Sequence, residues 1–375
     1  NVLALNSGTI KDVAGNNATL THSAVSANTS YKADTAAPTA SWSAATDNVG
    51  TVTGALSSGD TTDDPTIVLS GTNEAGSSVK VYDNTTELGS ATVTGTSWSF
   101  SATVARATTY QFNVKETDLA GNTSVATSNF ALTGDTDSPT VSSVVITSAT
   151  GILNNLLNVG DVLSVTLTFS KNVLVSGFPQ MTLVVGSTDQ TSTYTSGSGS
   201  TALVFQYTIQ AGETDTDGIS IGANVLALNS GTLRDAAGNS ATLTHSAMPA
   251  NTSYKVDTTA PTVNTFTLSD TELKIGDNAT VTLVLSEAVA SFSSAADITV
   301  TSGTLATMTS TDNITWSGTF TPTSNIEDAS NTLSLATSYT DTAGNAGPAA
   351  TTSNYEVDTT APSVNSFTLS DTALK

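Results

Sequence analysis

No cysteine occurs in this 375-residue chain, which removes the disulfide staple of many small secreted domains without assigning a redox compartment. Basic residues are nearly as scarce: ten lysines and arginines stand against 32 aspartates and glutamates, a formal net charge of −22. Such a chain repels nucleic acid and anionic membrane surfaces and attracts cations. With only 11% of residues charged, salt bridges must be few, so the self-repulsion has to be relieved by something else. Hard cations, which take clustered oxygen ligands, are the natural candidate. Neither a secretory leader nor an apolar run near the length of a membrane span is visible. The ends of the sequence are expected to be cuts in a longer array, so these two absences carry little weight.

What the sequence does contain is repetition, the first thing to establish in any chain. An acidic, proline-ended hinge occurs four times: Asp34-Thr-Ala-Ala-Pro38, Asp135-Thr-Asp-Ser-Pro139, Asp257-Thr-Thr-Ala-Pro261 and Asp358-Thr-Thr-Ala-Pro362, spaced by 101, 122 and 101 residues. Proline lacks a backbone donor and pushes the preceding residue out of the helical region, so the stretch reads as a linker. Ahead of each hinge stands an Asp-x-Ala-Gly-Asn turn, at Asp12–Asn16, Asp118–Asn122, Asp235–Asn239 and Asp341–Asn345. The implied division is 1–34 as the last part of a module, complete modules at 35–135, 136–257 and 258–358, and 359–375 as the start of another. Both partial modules have parents within the chain. Asn1-Val-Leu-Ala-Leu-Asn-Ser-Gly-Thr9 returns letter for letter at Asn224–Thr232, and Val364-Asn-Ser-Phe-Thr-Leu-Ser-Asp371 repeats Val263–Asp270 with one change.

Between the hinges the apolar residues alternate in short runs. Thr66-Ile-Val-Leu-Ser, Ser78-Val-Lys-Val-Tyr, Trp98-Ser-Phe-Ser-Ala-Thr-Val and Tyr110-Gln-Phe-Asn-Val-Lys in the second module set the pattern. Val162–Phe169, Met181–Val185 and Ala202–Ile209 continue it in the third, and Ala279–Leu285, Ile298–Val300, Ile314–Phe320 and Thr332–Ala336 in the fourth. Ala18–His22 and Asn28–Ala33 are expected to be the closing strands of the first, partial module, ordered only against a neighbour. Trp98, Phe100, Tyr110 and Phe112, spaced by two, should fill a core. No segment has a capped helical period, so the fold class is all-β, a series of antiparallel sandwiches.

Taken together, Thr72-Asn-Glu-Ala-Gly followed by Val79-Lys-Val-Tyr, Gly160-Asp-Val-Leu with Phe169-Ser-Lys, Ser286-Glu-Ala-Val, and the recurring turns and hinges resemble the bacterial immunoglobulin-like repeats of very large secreted surface proteins and adhesins. The resemblance covers essentially the whole chain. It implies tandem immunoglobulin-like β-sandwich modules arranged as a rod, acting as a stalk at the bacterial cell surface, often with calcium at the junctions. Lys171 departs from the pattern, standing where an acidic residue usually follows Phe-Ser, and no glycine-rich nonapeptide calcium repeat is present.

Sandwich geometry sorts the acidic residues independently of that resemblance. Consecutive antiparallel strands alternate direction, so the loops after the second and sixth strands share the pole at which the chain comes in. This should gather Asp34, Glu74 and Asp118 in the second module and Asp257, Glu287 and Asp341 in the fourth. Converging carboxylates are costly unless a cation, here Ca2+, sits among them. In the third module Asp135, Asp137 and Asp235 meet Lys171, which could form an ion pair instead of tolerating a metal. At the opposite pole of that module Asp161 is expected together with Asp215 and Asp217, the last two from the acidic loop Glu213–Gly218. Asp-x-Ala-Gly-Asn is also a good turn without any metal, its aspartate bonding its own backbone and its glycine or asparagine taking positive φ. Both readings of the turn stand at this level.

Catalysis has little to work with. His22 and His245 are copies at the same offset of 223 residues as the repeated nonapeptide, and no cysteine or nucleophile elbow accompanies them. Seven Asn-x-Ser/Thr sequons, Asn84 and Asn251 among them, follow from a composition rich in threonine and asparagine. The expectation is therefore a non-enzymatic extender of a large extracellular adhesin, stiffened by calcium. Its partners would be neighbouring modules and, through regions outside this stretch, a host-cell, surface or biofilm ligand; neither nucleic acid nor membrane insertion is expected. The alternative is a self-associating subunit of an extracellular fibre or surface layer.

Overall fold

The computed structural model describes residues 4–50 and 52–370; Asn1–Leu3, Thr51 and Asp371–Lys375 lie outside the described residues, and with them the outermost parts of both partial modules. Its contacts divide it into two compact units, Asn1–Thr136 and Asp137–Lys375. Nearly every regular element is a strand. The exception among the described residues is one helical turn, Ser294–Asp297, which the alternating pattern gave no reason to expect.

In the first unit two five-stranded sheets enclose a core. One runs in the order Gly54–Leu56, Ala44–Asp47, Thr66–Thr72, Ser97–Thr103, Thr92–Thr94; the other runs Thr61–Thr62, Phe130–Gly134, Thr109–Thr117, Ser78–Asp83, Thr86–Ser90. Alternation puts Ile67, Leu69, Trp98 and Ala102 of the first sheet against Val79, Val81, Phe112, Val114 and Leu132 of the second. Phe100 and Tyr110 pack at the margin of this core, Tyr110 stacked on Phe112 at 5.1 Å. The four expected aromatics thus belong to the packing.

The second unit carries two cores. Around the first, a sheet is built on the 15-residue strand Val162–Ser176, which pairs with Val141–Ala149 and Ser200–Thr208 and, beyond a register shift between Thr168 and Val173, with Thr232–Arg234. Lys171 sits in that shift. Leu163, Val165, Leu167, Leu183, Leu203 and Phe205 supply the buried centre. The second core is enclosed by Val263–Leu268, Ala279–Leu285, Thr315–Pro322 and Gly303–Leu305 on one side, with two three-stranded sheets completing the wall. Val281, Leu283, Phe320, Tyr339, Tyr355 and Val357 fill it.

One pairing recurs in all three sandwiches. A short early strand lies parallel to the last strand: Thr61–Thr62 with Phe130–Gly134, Leu156–Leu157 with Lys255–Asp257, and Glu272–Lys274 with Tyr355–Asp358. The last strand of each sandwich therefore leaves toward the same pole as this early strand runs.

Two expectations need correction. The hinge is not a five-residue linker: Asp257 still belongs to the ladder of the third module, opposite Thr214, and the Thr258 hydroxyl donates to the Glu213 carbonyl at 2.8 Å. Thr262 is already tied to Ser286, whose N–H donates to its carbonyl at 2.9 Å, so only Thr259, Ala260 and Pro261 lie between the two anchors. Nor do Ala18–His22 and Asn28–Ala33 form strands; over residues 4–43 the described chain has a single bridge, Lys11 to Asn17. A ladder needs a succession of paired residues, and these segments contribute the Ala18 N–H to the Ile10 carbonyl at 2.8 Å without extending it into a strand. The same contrast holds at the other end, where Phe367 is 90% exposed while its counterpart Phe266, paired within Val263–Leu268, is 7% exposed.

Phe320 is fully buried and meets Tyr355 edge-on at 5.2 Å. Its replacement by alanine should cost about 3–5 kcal/mol in the unfolding of the fourth module. Urea titration followed by hydrogen exchange should show this loss in residues 263–358 while the core around Phe205 keeps its stability.

Candidate metal centre

Asp341 is the best-defined acidic position of the chain. It opens the Asp341–Asn345 turn, whose tightness depends on Gly344 at φ 94°. That glycine, and not the asparagine, takes the left-handed conformation, as do Gly15, Gly121 and Gly238 in the other three turns. Asp341 is 0% exposed. Its Oδ1 accepts the N–H groups of Ala343 and Asn345 at 2.8 and 2.9 Å, and its Oδ2 accepts the Asn345 amide at 2.9 Å. A bridge between Val289 and Asp341 sets the turn beside the end of Ala279–Leu285, where Glu287 lies, and Asp257 arrives from the last strand of the third module.

Asp257, Glu287 and Asp341 each offer a carboxylate oxygen within 4.8 Å of the other two. Among the described residues this is the one such trio. The spacing is about twice a Ca2+–oxygen distance of roughly 2.4 Å, and the donor set is all hard oxygen, so the residues fit that ion. Electrostatics agrees with the geometry. Burial raises Glu287 above the usual carboxylate range, and the negative charges of Asp257 and Asp341 raise it further.

Further amide hydrogen bonds hold this turn from both sides. The Asn345 side chain donates to the carbonyls of Asp257 at 2.9 Å and Thr259 at 3.3 Å, so the turn grips the hinge directly. From the third module, Asn154 and Asn158 donate to the carbonyls of Thr342 and Ala343 at 3.0 and 3.1 Å. Sequence reasoning missed all three asparagines. Only Asn345 had a signal, the recurrence of asparagine at the last place of every turn.

The other expected sets are not brought together in the same way. In the second module the Asp118 carboxylate is spent on the backbone and side-chain amide of Asn122, both at 2.8 Å, which lowers its pKa from the ordinary aspartate value. Asn122 also donates to the Asp34 carbonyl at 3.0 Å, repeating the grip of Asn345 on the hinge, while Glu74 is exposed. At the far pole of the third module, Asp161 accepts the Asn158 N–H at 2.9 Å, and Asp215 accepts those of Gly186 and Gly218 at 2.8 and 2.7 Å. Asp217 is exposed and donates its own N–H to Asp215. These carboxylates serve turns of their own. At the leading pole Asp235 receives Lys171, with Nζ 3.0 Å from Oδ2 and 2.9 Å from the Asp137 carbonyl. Asp135 lies in the first unit, where its N–H donates to Thr62.

His245 is buried and structural in its contacts. Its Nε2 accepts the Val225 N–H at 3.0 Å, and Nδ1 stands 2.9 Å from the Ser246 carbonyl. Its copy His22 is exposed and keeps the second contact, at 2.8 Å from the Ser23 carbonyl.

Comparison with known proteins adds two sequence matches. Residues 35–136 match one family profile described as a bacterial Ig-like domain, and residues 257–357 match a second profile with the same description. No curated protein matches the chain in sequence. Similar solved structures include fibronectin(III)-like modules of Clostridium thermocellum CbhA, 13% identical, covering 54% of this chain and 90% of theirs at a TM-score of 0.26. A Bacteroides ovatus mixed-linkage glucan utilization protein, SGBP-B, solved with a heptasaccharide, is 16% identical over 80% of this chain and 65% of its own, with a TM-score of 0.18. Sidekick-1 immunoglobulin domains 1–5 are 13% identical over 86% and 60% respectively, with a TM-score of 0.26.

The raised pKa of Glu287 yields a signed pH dependence. A carboxyl raised on folding contributes stability that is present below its unfolded pKa and lost as pH rises through the folded one, so above that raised pKa Glu287 works against the fold. In the presence of a chelator, Glu287→Gln should therefore melt higher than the parent at pH 7. The gain should fade as pH falls through the raised pKa, where the parent glutamate is itself neutral. Thermal melts across pH check this; a variant less stable than the parent at pH 7 in chelator would contradict it.

Proposed function

The chain belongs to the bacterial Ig-like domain families, and from that membership we propose that it is a stalk segment of a large extracellular bacterial adhesin, whose junction at residues 257–261 is stiffened by calcium. Domains of these families are typically non-enzymatic structural modules, commonly extracellular or surface-associated. No helix among the described residues is long and apolar enough to cross a membrane. Within the proposal, modules at 35–135, 136–257 and 258–358 repeat along the stalk, and binding to a host-cell, surface or biofilm ligand falls to regions outside this stretch.

The observation that carries the reading is the trio at the junction. Asp257 comes from the third module, and Glu287 and Asp341 come from the fourth. A cation held by all three joins two modules with the carboxylates themselves, where only three residues of backbone lie between the anchored ends. Asp341 is already oriented by its turn, so little conformational freedom remains to be lost on binding. Remaining coordination would come from water and backbone carbonyls, since Ca2+ takes about 6–8 oxygens. The amide bonds from Asn154, Asn158 and Asn345 support the same end, because they hold the turn between the two modules. The function is mechanical: bending freedom removed at a junction extends the stalk.

Calcium that binds only the native state stabilises it by mass action, about 2.7 kcal/mol at a concentration 100-fold above Kd. Calorimetry should thus show a higher fourth-module melting temperature in calcium than in chelator, and X-ray scattering a narrower distribution of particle lengths. Asp341→Asn or Asp257→Asn should abolish both responses. Unchanged melting and unchanged length distributions on chelation would refute the stiffening role. Ordered lateral polymers from the purified chain would instead favour an assembling fibre or surface layer.

A further inference from the structure

We propose that Lys171 is a built-in cation of the third module, its ammonium doing at that leading pole what an external divalent ion does in the fourth. The comparison rests on the calcium reading of Asp257, Glu287 and Asp341; the contacts of Lys171 stand by themselves.

The two poles share a backbone frame. In the third module Ser170 donates its N–H to the Thr140 carbonyl at 2.8 Å and accepts the Thr140 N–H on its hydroxyl at 3.0 Å. In the fourth, Ser286 makes the same pair with Thr262, at 2.9 and 2.8 Å. The next residue is Lys171 in one and Glu287 in the other. Across from them the turn aspartates are also equivalent: Asp235 accepts the N–H groups of Ala237 and Asn239 at 3.1 and 2.9 Å, as Asp341 does those of Ala343 and Asn345. Each leaves Oδ2 facing the hinge. In the third module that oxygen receives Lys171 Nζ at 3.0 Å, and the same nitrogen reaches the Asp137 carbonyl at 2.9 Å. Asp137 is the third residue of its hinge, as Thr259 is of the next.

Charge completes the equivalence. In the fourth module the corresponding position adds a carboxylate to two others. In the third the position supplies a positive charge to an aspartate whose side chain is 4% exposed, from a lysine side chain that is 29% exposed. Removing one partner of such a pair strands a desolvated charge. The tethered ammonium also needs no dissolved ion, so the Asp137 carbonyl stays fastened at any calcium concentration. The two leading poles of the second unit thereby differ through Lys171 and Glu287: the third module carries its own cation, and the fourth takes one from solution.

The test uses the full chain with Lys171→Met, Lys171→Arg, Lys171→Glu and Glu287→Lys, each in calcium chloride and in chelator. Calorimetry resolves the module transitions, hydrogen exchange reports residues 137–143, and titration calorimetry counts bound calcium. In chelator, Lys171→Met should lower the third-module transition by roughly 5 °C or more and speed exchange at 137–143, Lys171→Arg should recover much of both, and added calcium should not rescue Lys171→Met. Lys171→Glu should gain a calcium site whose filling restores the third module. Glu287→Lys should raise the fourth-module transition in chelator and remove its calcium response. A third module untouched by Lys171→Met, or a Lys171→Glu chain that binds no additional calcium, would overturn the proposal. Should the parent chain bind no calcium at all, the reading of the fourth-module trio fails, while the chelator comparison of Lys171→Met with Lys171→Arg still decides what Lys171 does.

Discussion

A carboxylate that accepts hydrogen bonds from its own turn is the constraint on which each leading pole depends. Asp12, Asp118, Asp235 and Asp341 all accept the N–H of the asparagine four residues ahead, at 2.8, 2.8, 2.9 and 2.9 Å. One oxygen is thereby committed to the backbone, and in the three sandwiches the other is turned toward the hinge. A nitrogen donor then joins that oxygen to a hinge carbonyl: the amide of Asn122, the ammonium of Lys171 or the amide of Asn345. Glycine is required within the turn because its left-handed φ lets the chain close back on the aspartate.

The same device explains how a chain of net charge −22 can bury carboxylates. Asp161, Asp215, Asp235 and Asp341 are all buried, and each accepts one or more backbone N–H groups. Hydrogen bonds to an ionised acceptor are stronger than neutral ones and replace lost hydration, and only Asp235 of these four adds an ion pair, with Lys171. What the device does not relieve is repulsion between separate carboxylates that converge. That residue of repulsion concentrates at Asp257, Glu287 and Asp341, where burial and like charge act on Glu287 together.

Composition alone made the hinges look like free linkers, rich in threonine and closed by proline. Tertiary structure uses those residues differently. Asp257 and Asp358 finish strands, and the hydroxyls of Thr258 and Thr359 donate to the carbonyls of Glu213 and Thr323. A threonine that reads as linker composition is thus an anchor, and little backbone lies outside the sheets.

The near-copies in the chain separate what local sequence specifies from what packing decides. Residues 4–34 and 227–257 have closely related sequences, and their turns agree in detail. Asn6 and Ser7 have φ of 37° and 70°, Asn229 and Ser230 have 48° and 64°, and the aspartate–asparagine turn and the histidine–carbonyl contact are present in both. These features need partners only a few residues away, so the sequence determined them wherever it occurs, just as alternation determined the strands and aromatic spacing the core. Both copies keep one bridge, Lys11 to Asn17 and Arg234 to Ser240, but burial and strand formation differ: Tyr31 is 85% exposed where Tyr254 packs on a core, and Lys255–Asp257 is a strand where Lys32–Asp34 is not. For the acidic residues the sequence supplied the candidates and the poles they should share. Only the tertiary structure decided that Asp257, Glu287 and Asp341 converge while Asp34, Glu74 and Asp118 do not, because convergence depends on side-chain directions and on competing amide partners, set by contacts between residues as far as 188 positions apart.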